Sequence, residues 1–209
     1  LIWALTGASA ALYWALSLSD KKSVFKSLVK GLSVLPLAVY AGVQGAPLVV
    51  LALALCSIGD VILSRPAAGA FLGGLIAFAL GHLAWIAVFI WSIGIDPSLL
   101  LAPHSLVLIA GFAALAIVMV RVLLPRAGPL RMPVTAYIGI IIAMGITALA
   151  TPSGLAIAGA VLFAASDTFL GLQHFVLVKV TRRERIANLL IWPLYWVAIV
   201  FLTLGTLPL

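Results

Sequence analysis

The chain has 209 residues, 65% of them apolar, with 12 Lys or Arg, 5 Asp or Glu and a formal net charge of +7. Charged residues make up 8% of it, against roughly 25% in a water-facing domain, which excludes a soluble globule and leaves a surface that must face lipid. The single cysteine, Cys56, excludes an internal disulfide and a thiolate metal cluster and reads as packing.

Mean hydropathy is +1.32, and the alternating polarity of an outer-membrane barrel is absent. A membrane-crossing helix needs about 20 apolar residues, and eight segments of that kind follow one another. The first, Ile2 to Leu18, lacks the basic lead-in of a signal peptide and runs directly into a charged loop and further spans, so it reads as a helix; Leu1 is not an initiator methionine, which points to a trimmed start. The others run from Leu28 to Val43, Pro47 to Leu63, Gly69 to Ser92, Pro103 to Leu124, Pro133 to Ala150, Gly154 to Val178 and Ile186 to Leu207. Between them stand the breakers Gln44-Gly45-Ala46-Pro47, Arg65-Pro66, Asp96-Pro97, Pro125 with Gly128-Pro129, and Thr151-Pro152-Ser153-Gly154. The expected fold is all-α: one integral membrane domain over residues 1–209, a bundle of eight transmembrane helices with short loops.

Charge placement gives the orientation. The first connection holds Lys21, Lys22, Lys26 and Lys30, the third Arg65, the fifth Arg121, Arg126 and Arg131, and the seventh Lys179, Arg182, Arg183 and Arg185, which accounts for all 12 basic residues. The even connections hold none, and Asp96 is their one formal charge. Lys and Arg in short loops stay on the cytoplasmic side, so the odd loops are expected in the cytoplasm and both termini outside, in the inner (plasma) membrane if the cell is bacterial. Topology, not nucleic acid, explains the positive charge.

Asp20 and Glu184 fall in cytoplasmic loops and Asp96 in an outer one. Asp60 and Asp167 fall inside the third and seventh segments, where a charged carboxylate costs at least about 2.5–3.5 kcal/mol unless paired or protonated. Each alone is explained by a structural bond between helices, with Arg65 a candidate partner for Asp60. The two surroundings echo one another, however: Ser57-Ile58-Gly59-Asp60-Val61-Ile62-Leu63 against Ala165-Ser166-Asp167-Thr168-Phe169-Leu170, each with a Ser shortly before and a Leu three after. The third and seventh segments occupy the same place in successive groups of four, the mark of a weak four-plus-four repeat that would set the carboxylates face to face.

His82 lies near the centre of the fourth segment, as a backbone-bonded core histidine or a functional one. Tyr137, and Tyr195 beside Trp196, suit either an interfacial belt or a site; Lys30 suits snorkelling, topology or a site. His174 follows Asp167 by seven residues, on the same helical face but near the charged edge, and His104 is expected to be solvated. Lys30, Asp60, His82, Tyr137, Asp167 and Tyr195 come from six segments yet share one leaflet. Scattered structural bonds have no reason to do so, and the convergence points to one polar pocket opening toward the cytoplasm.

Ser57-Ile58-Gly59-Asp60 with Leu63, Phe78-Ala79-Leu80-Gly81-His82, and Gly159-Ala160-Val161-Leu162-Phe163-Ala164-Ala165-Ser166-Asp167 resemble motifs of the YhhN, or lysoplasmalogenase-like, family, as do Tyr137 with Met144 and Tyr195 with Ala198. Departures are Lys30-Gly31-Leu32 for the usual Lys-Pro-Leu, Ile199 where Gln is common, and His174 where Lys or Arg is common; they bear on substrate preference. The resemblance implies hydrolysis of the vinyl ether of lysoplasmalogens to a fatty aldehyde and glycerophosphoethanolamine or glycerophosphocholine. An enol ether reacts when its β carbon is protonated, giving an oxocarbenium ion that water captures, and two carboxyl groups suffice without metal or organic cofactor. By depth, Asp167 is the expected proton donor and Asp60 the base, an assignment that reverses if Asp60 lies deeper. Lys30, His82, Tyr137, Ser166 and Tyr195 are the expected substrate contacts, with the tyrosines and His82 on water or glyceryl oxygens and Lys30 on phosphate. The expected partners are the lysophospholipid and the bilayer. Two rivals stand beside this reading: a proton-coupled transporter, whose broken helices Pro36 and Pro193 would mark, and a metal-dependent hydrolase using His82, His174, Asp60 and Asp167.

Overall fold

The computed structural model describes residues 1–17, 23–177 and 181–207. Asp20, Lys21, Lys22 and Lys179, and the expected segment ends Leu18 and Val178, lie outside the described residues. The chain is 87% helix without strands among those residues, in nine α-helices. These are α1 (Ile2–Ser17), α2 (Val24–Leu32), α3 (Leu35–Val43), α4 (Pro47–Leu63), α5 (Ala70–Val88), α6 (Pro103–Leu123), α7 (Arg131–Leu149), α8 (Gly154–Phe175) and α9 (Arg182–Thr206). A π-helical turn, Phe89–Ile93, continues α5.

Six stretches are long and apolar enough to cross a membrane: Val24–Val43, Ala70–Ile93, Pro103–Arg126, Gly128–Leu149, Gly154–Phe175 and Arg182–Thr206. The protein is thus a helical membrane protein. α1 has 16 residues and α4 has 17, lengths of about 24 and 26 Å at 1.5 Å per residue, so these two of the eight expected spans fall short of a full hydrocarbon layer.

The expected second span is two helices. Pro36 has no N–H for the carbonyl four residues back, and its ring crowds that carbonyl. The backbone rearranges so that Leu37 and Ala38 both donate to the Val34 carbonyl. The freed Ser33 carbonyl accepts from the Thr6 hydroxyl and from Trp196 Nε1, the latter at 3.3 Å. Pro193 acts differently: α9 runs through it unbroken, and the Leu189 carbonyl that loses its helical donor accepts from Trp14 Nε1 at 3.2 Å. In lipid every such orphan must find a partner, and α1 supplies one at each proline.

α4 packs along α5, and α8 along α9, as the two most extensive helix pairs. Close approach depends on missing side chains. A Cβ on Gly159 would lie 3.0 Å from the Ala198 carbonyl oxygen, and one on Gly59 would lie 2.9 Å from the Phe78 ring. α6 is the outlier, with 17% of its span buried. Beyond the breaks, the short turn after Asp96 is capped by its carboxylate, which accepts from Ser98 N at 2.9 Å and Ser98 Oγ at 2.6 Å. Those bonds hold the exposed Asp96 carboxyl below the usual carboxylate range.

Candidate active site

The chain breaks just after α2, so Lys30 sits in the last turn of a half-helix, with its side chain only 12% exposed. α2 is amphipathic in the sense lipid requires: Val24, Phe25, Leu28 and Leu32 are exposed, whereas Ser27, Val29 and Gly31 are buried. Lys30 Nζ lies 2.9 Å from Asp60 Oδ1. It also lies 5.6 Å from the ring centres of Tyr13 and Trp192, within cation–π range. The other Asp60 oxygen, Oδ2, accepts from the Tyr195 hydroxyl at 2.7 Å. Asp60 is 1% exposed, so this ammonium and this hydroxyl replace its water.

Asp167 on α8 has a parallel set. Tyr137 of α7 donates to Oδ2 at 2.8 Å, and His82 Nε2 of α5 lies 3.3 Å from the same oxygen. His82 is fully buried, with Nδ1 2.6 Å from the Phe78 carbonyl one turn earlier. Each carboxylate therefore has one tyrosine and one nitrogen base, all delivered by different helices. The Phe163 ring joins the sets, with its centre 4.4 Å from that of His82 and 5.3 Å from that of Tyr195.

Six of the residues singled out from the sequence thus meet: Lys30, Asp60, His82, Tyr137, Asp167 and Tyr195. Neither tyrosine is a belt residue, since both are buried. Arg65 is exposed, and Lys30 takes the place beside Asp60 that Arg65 was a candidate for. Lys30, expected on a phosphate, has its ammonium on a carboxylate. Ser166 donates to the Ile191 carbonyl at 2.9 Å and so ties α8 to α9. His174 stacks on Phe71 with ring centres 3.6 Å apart. Among the described residues no group of three or more His, Cys, Asp or Glu side chains has the arrangement of a metal site.

Sequence reasoning missed Tyr13, Phe163 and Trp192. Trp192 precedes Tyr195 by three residues, which puts both on one helical face. Tyr13 gives no such signal, because it reaches Lys30 only through the docking of α1. Also unforeseen is an apolar groove of about 360 Å³ between α6 and α8, lined in part by Gly111, Phe112, Leu115, Ala164, Ala165 and Thr168. The one hydroxyl in that group, on Thr168, is turned back onto the Ala164 carbonyl at 2.7 Å. The groove's wall therefore includes the neighbours of Asp167 in the chain yet offers nothing polar.

The sequence profile of the YhhN family matches residues 25–206. No curated protein and no solved structure matches the chain.

Proposed function

The chain belongs to the YhhN family, and from that premise we propose that it is a lysoplasmalogenase, an ether hydrolase that cleaves the vinyl ether of a lysoplasmalogen in the membrane. The observation that carries the reading is the pair of buried carboxylates with unlike partners: a lysine ammonium 2.9 Å from Asp60, and an imidazole nitrogen 3.3 Å from Asp167. Lys30 pairs with the ionised form of Asp60, whereas a neutral imidazole pairs with the protonated form of Asp167. One carboxylic acid and one carboxylate are the division of labour that an oxocarbenium ion needs.

Asp167 delivers its proton to the β carbon of the alkenyl chain, the double-bond electrons form the new C–H bond, and the ether oxygen shares the positive charge left on the α carbon. Water adds to that carbon and gives a proton to Asp60. In the resulting hemiacetal, Asp167 takes the hydroxyl proton as the C–O bond to glycerol breaks, and Asp60 returns its proton to the departing oxygen. Both carboxyls end as they began, with one water consumed. Tyr137 donates to Asp167 and Tyr195 to Asp60, which holds each carboxyl in a fixed orientation. The groove between α6 and α8 suits the single aliphatic tail, with the head group toward the cytoplasmic face. In this account α1, the α2–α3 pair, and α4 to α9 are eight crossings in a four-plus-four arrangement, with odd loops cytoplasmic.

The break between α2 and α3 is also what a transporter would use. Against that role, the bundle beyond the carboxylates is closed by Val49, Ala52, Leu53, Trp85, Val88 and Phe89, none of which has any exposed surface. Purified protein given a lysoplasmalogen beside its saturated alkyl ether analogue is expected to release aldehyde from the first alone, because only the alkenyl ether forms the cation by protonation. Turnover of neither, with uptake into vesicles driven by a pH gradient, would replace hydrolysis by transport.

A further inference from the structure

We infer that His82 is a positioning residue that designates Asp167 as the acid, by presenting it with a nitrogen lone pair. The inference deepens the proposed hydrolysis and rests on that reading for its catalytic consequence, but its structural half stands on geometry alone.

A carbonyl oxygen can only accept a hydrogen bond. His82 Nδ1 lies 2.6 Å from the Phe78 carbonyl, so the hydrogen of a neutral ring must sit on Nδ1; the other tautomer would press two lone pairs together. Nε2 is then left bare, and it faces Asp167 Oδ2 at 3.3 Å. An ionised Asp167 beside that bare nitrogen would oppose two acceptors in a site from which water is excluded. A proton on Oδ2 removes the conflict, and it is the proton that Asp167 can give. The ring cannot turn away to evade the constraint, because His82 is fully buried against Phe163 and Tyr137.

Among the described residues, no second cation pairs with Asp167. α7 presents Tyr137, whose hydroxyl donates to Asp167. α4 presents Asp60 and Cys56, α9 presents Tyr195, and Lys30 of α2 is held on Asp60. The lysine therefore serves one carboxylate and the histidine the other. After Asp167 has given its proton to carbon, the bare Nε2 opposes the anion and favours return of a proton during hemiacetal collapse.

The chain has 3 histidines, so nitrogen NMR on histidine-labelled protein in detergent, with His104→Gln and His174→Gln for assignment, reports the His82 tautomer directly. The expected result is hydrogen on Nδ1, whether or not substrate is turned over. Hydrogen on Nε2, alone or together with hydrogen on Nδ1, would overturn the inference while leaving the hydrolase reading intact. His82→Gln, which can offer Asp167 an amide N–H and so support the ionised form, is expected to lower kcat about 100-fold with little change in KM. Gln supporting wild-type kcat would overturn it equally. A wild-type protein with the Nδ1–H ring but no aldehyde release would instead sink the hydrolase.

Discussion

Replacing Asp167 by Asn is expected to lower aldehyde release by about 100- to 10,000-fold, the range that a lost general acid or base produces, and Asp60→Asn should do the same by a different route. An amide at position 167 still accepts from Tyr137 but has no proton to give the alkenyl carbon. An amide at position 60 still accepts from Tyr195 but cannot take a proton from water. Both variants keep the shape of the side chain, so the bundle should remain helical by circular dichroism in detergent. Aldehyde release near the wild-type rate from either purified, folded variant would remove that carboxyl from the mechanism. The Asp60 change also leaves Lys30 facing a neutral amide, so some loss of thermal stability should accompany it.

Lys30→Met should have the largest effect on stability, about 3–5 kcal/mol, because it strands the Asp60 charge in the bundle. The lysine side chain is 12% exposed and the aspartate 1%, so water cannot take over the role of the ammonium. Combining Lys30→Met with Asp60→Asn removes both charges, and the double variant should recover much of the stability lost in Lys30→Met alone. Thermal unfolding of the wild type, the two single variants and the double variant measures the coupling. Simple additivity would mean that the ion pair contributes nothing. If Lys30 instead acted only on the phosphate of the substrate, Lys30→Met would raise KM and leave the melting temperature unchanged.

The helical class, the order of the apolar segments and the polar residues of the centre were legible in the sequence because lipid makes polar residues conspicuous. Asp60 and Asp167 stand out in stretches where nearly every neighbour is apolar, and depth alone grouped them with His82 and the tyrosines. Partner choice was not legible. Nothing in the spacing said that Asp60 would prefer Lys30, thirty residues earlier, to the nearby Arg65, since that depends on how α2 docks against α4. The two prolines look alike in sequence and differ in outcome: Pro36 ends a helix, whereas Pro193 is accommodated because Trp14 satisfies the freed carbonyl. Tyr13 belongs to the same class, as its contact with Lys30 depends on how α1 docks.

The protein is expected to put a proton on the alkenyl carbon and water on its neighbour, and the fate of the water oxygen reports whether it does. Lysoplasmalogen turned over in heavy-oxygen water, with the aldehyde reduced at once to the alcohol, should place the label in the fatty product and none in the glycerophospho fragment. Label in the glycerophospho fragment would mean that water attacks the glyceryl carbon, and the two aspartates would then have no oxocarbenium ion to serve.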